Sequence, residues 1–69
     1  MTIKNRVKEL RARHSLTQGE LAESVNVTRQ TIVALEKGSY TPSLLLAMNI
    51  SHTFNMPIEE IFYLEEEKN

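Results

Sequence analysis

Arg29 and Gln30 stand side by side within the segment TQGELAESVNVTRQTIVALEKG, residues 17–38. A guanidinium can donate two parallel hydrogen bonds to guanine O6 and N7, and a primary amide can pair twice with adenine N6 and N7. Ile32 and Leu35 follow at helical spacing, so a helix through these residues buries its back and turns Arg29 and Gln30 outward. Val33 and Ala34 lie one turn further along the outward face. Two readings stand for them. They touch thymine methyl groups, or Ala34 is there as a good helix former and Val33 packs beside a neighbouring helix. Around this face sit side chains suited to phosphate oxygens: Gln18, Thr28, Thr31, Lys37, Ser39 and Tyr40. Tyr40 can alternatively pack on the rim of the core.

Other chemistries find little support. There is no Cys, and the two His, His14 and His52, are too few and too far apart for a zinc site. No Ser, His and carboxylate are spaced as a nucleophilic triad. Glu65, Glu66 and Glu67 read as a solubilising tail and not as a metal site. The expectation is a protein that is not an enzyme and needs neither metal nor cofactor.

Four or five short helices must position the polar face. The first is predicted from about Asn5, a candidate cap, to Arg13, with Ile3, Val7 and Leu10 at helical spacing. The second starts at Thr17, with Glu20 three residues on as the other half of a capping box. Leu21, Ala22 and Val25 are its inner stripe. Asn26 then supplies the left-handed residue of a sharp turn, and Val27 fills the gap between helices. Thr28 caps the third helix and Gly38 ends it. The fourth starts at Pro42 and Ser43 and runs to about Phe54, with Leu44, Ala47, Ile50, Ser51 and Phe54 facing the core. A short fifth follows Pro57, carrying Ile58, Ile61 and Phe62. Phe62, Tyr63 and Leu64 are β-prone and can pair with Thr2, Ile3 and Lys4.

Sixty-nine residues make one small domain, 1–69, with a thin stability margin. The net charge of −1 is unevenly spread. Residues 1–57 carry seven Lys and Arg against four Glu, whereas residues 58–69 carry one Lys against five Glu. Such polarity lets one end face phosphates while the other is kept away; the plainer reading is two solvated surfaces. No signal peptide and no apolar run of about 18 residues is present, so an intracellular, cytoplasmic protein without membrane contact is expected.

At this level of detail the segment resembles the helix-turn-helix of Cro and phage-repressor proteins. The flanking VKELRARHSL and YTPSLLLAMNISHTFNMPIEEIF extend the resemblance over nearly the whole chain. It is similar to compact bacterial regulators, the cytolysin-repressor subgroup among them. The resemblance implies an all-α, five-helix bundle of the lambda-repressor kind, with a small terminal sheet. It also implies a symmetric homodimer on a pseudo-palindromic operator in double-stranded DNA, with base contacts at Arg29 and Gln30. Arg11 and Glu36 each sit at the edge of a buried face, and the resemblance makes them a salt bridge tying the first helix to the third. Asn26 departs from the usual turn glycine. Gly19 costs the second helix about 1 kcal/mol relative to Ala.

Leu45, Met48, His52 and Met56 recur on the outer side of the fourth helix. With Ile58, Ile61, Tyr63 and Leu64 they form a candidate two-fold interface, making the C-terminal part a dimerisation segment. The alternative is that some of them close the core. In function, the alternative to a DNA-binding repressor is an antitoxin or protein-interaction module on the same fold. For a repressor of this size, regulation is expected to come from another regulatory protein or from concentration alone.

Overall fold

In a computed structural model, which describes residues 1–66, the chain forms five helices and one two-stranded antiparallel sheet. The last residues of the acidic tail, 67–69, lie outside the described residues. Strand β1 (Thr2–Asn5) precedes α1 (Val7–Arg13), α2 (Gln18–Ser24), α3 (Arg29–Lys37), α4 (Leu44–Phe54) and α5 (Ile58–Ile61), and β2 (Phe62–Glu65) follows.

The terminal segments pair as the β-prone tail suggests. Ile3 lies opposite Leu64, Lys4 opposite Tyr63 and Asn5 opposite Phe62. This pairing corrects the start of α1. Asn5 does not open the helix: its backbone belongs to the ladder, and α1 begins at Val7 after Arg6, whose own side chain makes no capping bond, so that Asn5 serves the first helical N–H from outside. The local helix signal loses to a long-range partner. The Asn5 side chain does two things. Its Oδ1 accepts from Val7 N–H at 3.1 Å, and its Nδ2 donates to the Leu35 carbonyl at 3.0 Å, tying β1 to α3.

Local chemistry sets the remaining boundaries. Thr17 and Glu20 form a reciprocal capping box at α2. Thr28 and Ser43 cap α3 and α4 by accepting from Thr31 and Leu46 N–H. Asn26 has φ 60°, and the Val27 N–H returns to the Ala22 carbonyl at 2.9 Å, which closes the turn between α2 and α3. Gly38 ends α3 at φ 81°, a conformation that costs a residue with a Cβ about 1–2 kcal/mol.

The core gathers Val7 and Leu10 from α1, Leu21 and Ala22 from α2, and Ile32 and Leu35 from α3. Leu46, Ala47, Ile50 and Phe54 of α4 join them, with Val25, Ile61 and Phe62. Ile3, Leu16, Val27, Met56 and Ile58 pack around it, partly buried. This corrects the core face of α4. Leu44 is 72% exposed and Leu46 is buried in its place. With Ser43 as cap, Leu44 is the first helical residue, and two residues of helix turn it about 200° from Leu46. Ser51 is half-buried and its hydroxyl donates to the Met56 carbonyl. Among the described residues no helix is long and apolar enough to cross a membrane.

Leu46→Ala is expected to destabilise the fold by about 2–5 kcal/mol, as a cavity-forming change. Leu44→Ala opens no cavity in the protomer core and is expected to cost much less. Urea denaturation of the two variants checks the phase of α4.

Candidate nucleic-acid interface

The site is built on α3. Its nine residues place Ile32 and Leu35 in the core, so its first turn and outer face are what remain to be offered. Arg29 and Gln30 are exposed at its N-terminal end. Val33 and Ala34 are half-buried beside them. The Thr28 and Thr31 hydroxyls lie 3.1 Å apart, so each already has a partner in the protein. Lys37, in the last turn, and Ser39 and Tyr40, in the following loop, are exposed. Ser39 Oγ also donates to the Ala34 carbonyl at 3.2 Å.

Below this face lies an ion pair. Arg11 Nε is 2.7 Å from Glu36 Oε2 and Arg11 Nη2 is 3.2 Å from Oε1, a forked contact between α1 and α3. The two side chains are 16% and 5% exposed. A third guanidinium bond, from Nη1 to the Leu16 carbonyl at 2.9 Å, holds the loop before α2. The Glu36 hydrogen bond, reinforced by its charge, holds the Arg11 pKa above the usual guanidinium value. Among the described residues no buried side-chain nitrogen or oxygen lacks a partner.

The ion pair reaches the surface through Gln18. Its Nε2 donates to Glu36 Oε1 at 3.1 Å, and its Oε1 accepts from Arg29 Nη2 at 3.2 Å. Arg11, Thr17, Gln18, Gly19 and Arg29 line an open depression at the junction of α2 and α3. The sequence offered Gln18 only as a phosphate donor. Its links to Glu36 and Arg29 depend on contacts 18 and 11 residues away, which no local pattern announces.

The basic part of the chain is less uniform than its count suggests. Arg6 and Arg13 both pair with Glu9, at 2.9 and 3.0 Å, and Arg11 is committed to Glu36. The hydrogen bond from Arg6, with the charges of Arg6 and Arg13, holds the Glu9 carboxyl below its ordinary range. Among the described residues no cluster of three or more His, Asp or Glu is arranged to hold a metal ion.

On α4, Leu45 is 70% and Met48 54% exposed, with His52 exposed near them. Tyr63 and Leu64 of β2 are exposed too, Tyr63 lining a separate depression with Arg6, Lys8, Glu9 and Ala12. Met48, Ser51, His52, Asn55, Met56, Pro57 and Ile58 line a shallow groove. Met56 and Ile58 are partly buried against the core. Ile61 is corrected: it has no exposed surface, because the single turn of α5 points it inward, and it cannot belong to an interface. Leu44 adds to this face and was missed for the reason of helix phase given above.

Comparison with known proteins places this geometry. The sequence model of a helix-turn-helix family, HTH_3, matches residues 7–61. The chain is 58% identical over 65 residues to an uncharacterised HTH-type transcriptional regulator, YgzD, of Bacillus subtilis (strain 168), covering 94% of this chain and 98% of the relative. It is 30% identical over 57 residues to the cryptic phage CTXphi transcriptional repressor RstR of Vibrio cholerae, covering 83% of this chain and 51% of that one. The structure is similar to the restriction-modification controller protein C.AhdI of Aeromonas hydrophila, with TM-score 0.74 and 25% identity over 80% of each chain. The chain belongs to the helix-turn-helix family of Cro and repressor type, and is a transcriptional regulator of that family.

Glu36→Ala would leave the part-buried Arg11 charge without its partner and is expected to lower stability, by less than the about 3–5 kcal/mol of a fully buried pair. Arg11→Met combined with Glu36→Leu is expected to recover part of that loss, since it leaves no unpaired charge, although the Leu16 carbonyl and the Gln18 amide each lose a partner. Thermal melting of the single and double variants reads both effects. A Glu36→Ala protein that melts like the parent contradicts the role given to the pair.

Proposed function

We propose that this helix-turn-helix protein is a sequence-specific repressor that binds a pseudo-palindromic operator as a homodimer, with α3 in the major groove. The observation that carries the reading is the two-sidedness of α3. Ile32 and Leu35 are buried completely or nearly so, while Arg29 and Gln30 stand exposed at its leading end. An N-terminal pair of that chemistry on an anchored helix suits the reading of base edges. Phosphate contacts from Gln18, Thr28, Thr31, Lys37, Ser39 and Tyr40 supply affinity without sequence information. Val33 and Ala34 extend the apolar reach toward thymine methyls.

The dimer forms through Leu44, Leu45, Met48 and His52 of α4, the Met56–Ile58 groove beside them, and Tyr63 and Leu64. Residues 1–69 thus act as one DNA-binding domain whose C-terminal part is the dimerisation segment. An isologous pairing would set two α3 helices about 34 Å apart, in successive major grooves. Covering a promoter then represses it sterically. The name of the phage repressor relative supports the direction of regulation. A second reading, an antitoxin or interaction module, uses the same exposed α4 face to hold a different protein.

Selection of bound DNA from a random pool is expected to return a palindrome. Arg29→Ala should cost about 1–3 kcal/mol and relax preference at one position per half-site. Lys37→Ala should weaken all sequences alike and flatten the salt dependence. Band-shift titration on selected and scrambled DNA separates the two. Leu45→Glu with Met48→Lys should yield monomers in sedimentation. A persisting dimer puts the interface elsewhere, and a parent that is monomeric favours the protein-interaction reading.

A further inference from the structure

We infer that Gln18 is a positioning residue that fixes the guanidinium of Arg29, and that the buried Glu36 carboxylate fixes Gln18 in turn. The inference rests on the proposed role of Arg29 in base readout. Four side chains form one chain of hydrogen bonds: Arg11 to Glu36, Glu36 to Gln18, and Gln18 to Arg29. Its directions are not interchangeable. A carboxylate can only accept, so the Gln18 amide must turn its NH2 toward Glu36. That leaves its carbonyl facing residue 29, where only a donor completes the chain, and a guanidinium has donors alone. The reversed amide would set oxygen against carboxylate and NH2 against guanidinium, two repulsions in place of two bonds. The core thereby dictates, through one amide, which hydrogen-bonding character position 29 can hold in place.

The consequence is preorganisation. Arg29 is exposed, and a long exposed side chain loses rotamer freedom when it binds. One bond to a partner that is itself held by a part-buried ion pair removes part of that loss before DNA arrives. Holding a single rotamer-rich side chain is worth roughly 2- to 10-fold in affinity. A phosphate-only role for Gln18 predicts something else, an equal loss on every sequence.

The test compares the full chain with Gln18→Met, which keeps length and removes both bonds, and with Arg29→Ala. Each is read by selection from a random pool and by titration on the parent's best operator. Gln18→Met is expected to bind that operator roughly 2- to 10-fold more weakly. It should blur the same base position that Arg29→Ala blurs, leave the position read by Gln30 sharp, and add little in the double variant. NMR relaxation of the Arg29 side chain in the unbound protein should show it ordered in the parent and mobile in Gln18→Met. If Arg29→Ala blurs a position that Gln18→Met leaves sharp, the positioning role is overturned and the base-reading role of Arg29 stands. If Gln18→Met weakens all sequences equally, Gln18 serves phosphate alone and the inference fails. If Arg29→Ala blurs nothing, base readout by Arg29 is overturned and the inference falls with it. Should Gln18→Met melt below the working temperature, Gln18→Asn is read in the same way, since it stays polar but is one methylene too short for the span.

Discussion

Everything useful about this molecule depends on α3 having its back anchored. The helix has nine residues, too short to persist alone in water. Its geometry is imposed from outside. The Thr28 hydroxyl satisfies its first turn, Ile32 and Leu35 sink into the core, and Asn5 donates to the Leu35 carbonyl. Glu36, one residue on, is held by Arg11 from α1. Anchors at the start, middle and end leave the helix no freedom to roll, so the outward placement of Arg29 and Gln30 is a consequence of burial.

The other elements follow from supplying those anchors with few residues. The terminal sheet brings β1 into the position from which Asn5 reaches α3, and Arg6 N–H donates to the Ile61 carbonyl at 2.9 Å where the two ends of the chain meet. The Arg11 guanidinium serves α3 and the loop before α2 together. Burying an ion pair is costly, and such pairs seldom add net stability over apolar substitutes. What this pair contributes is direction, because an apolar contact at the same place would hold α1 and α3 together without orienting Gln18. Most of the exposed large apolar residues lie on α4 and β2.

Much of this was legible from residue order because it is local. The capping box at Thr17 and Glu20, the left-handed Asn26 and Gly38, and the inner stripes of α2 and α3 each lie within one turn of their partners. The strand pairing of the termini was legible from the β-prone tail and from the closeness expected of the two ends of a small domain. The misses are long-range or phase errors. Asn5 looked like a cap because the ladder that claims it lies nearly sixty residues away. Leu44 reads as core from the sequence because a run of three leucines, Leu44 to Leu46, hides which one the cap at Ser43 turns inward. Ile61 was assigned to a surface because a single turn of helix has no periodicity to read. The double use of the Gln18 amide belongs to tertiary structure alone.

Methylation interference on an operator recovered by selection tests the central claim most directly, because guanine N7 lies in the major groove. Methylated guanines are expected to block binding in two clusters about one helical turn apart, related by two-fold symmetry, on one face of the duplex. Binding indifferent to N7 methylation, or blocked only by adenine N3 methylation in the minor groove, would contradict it.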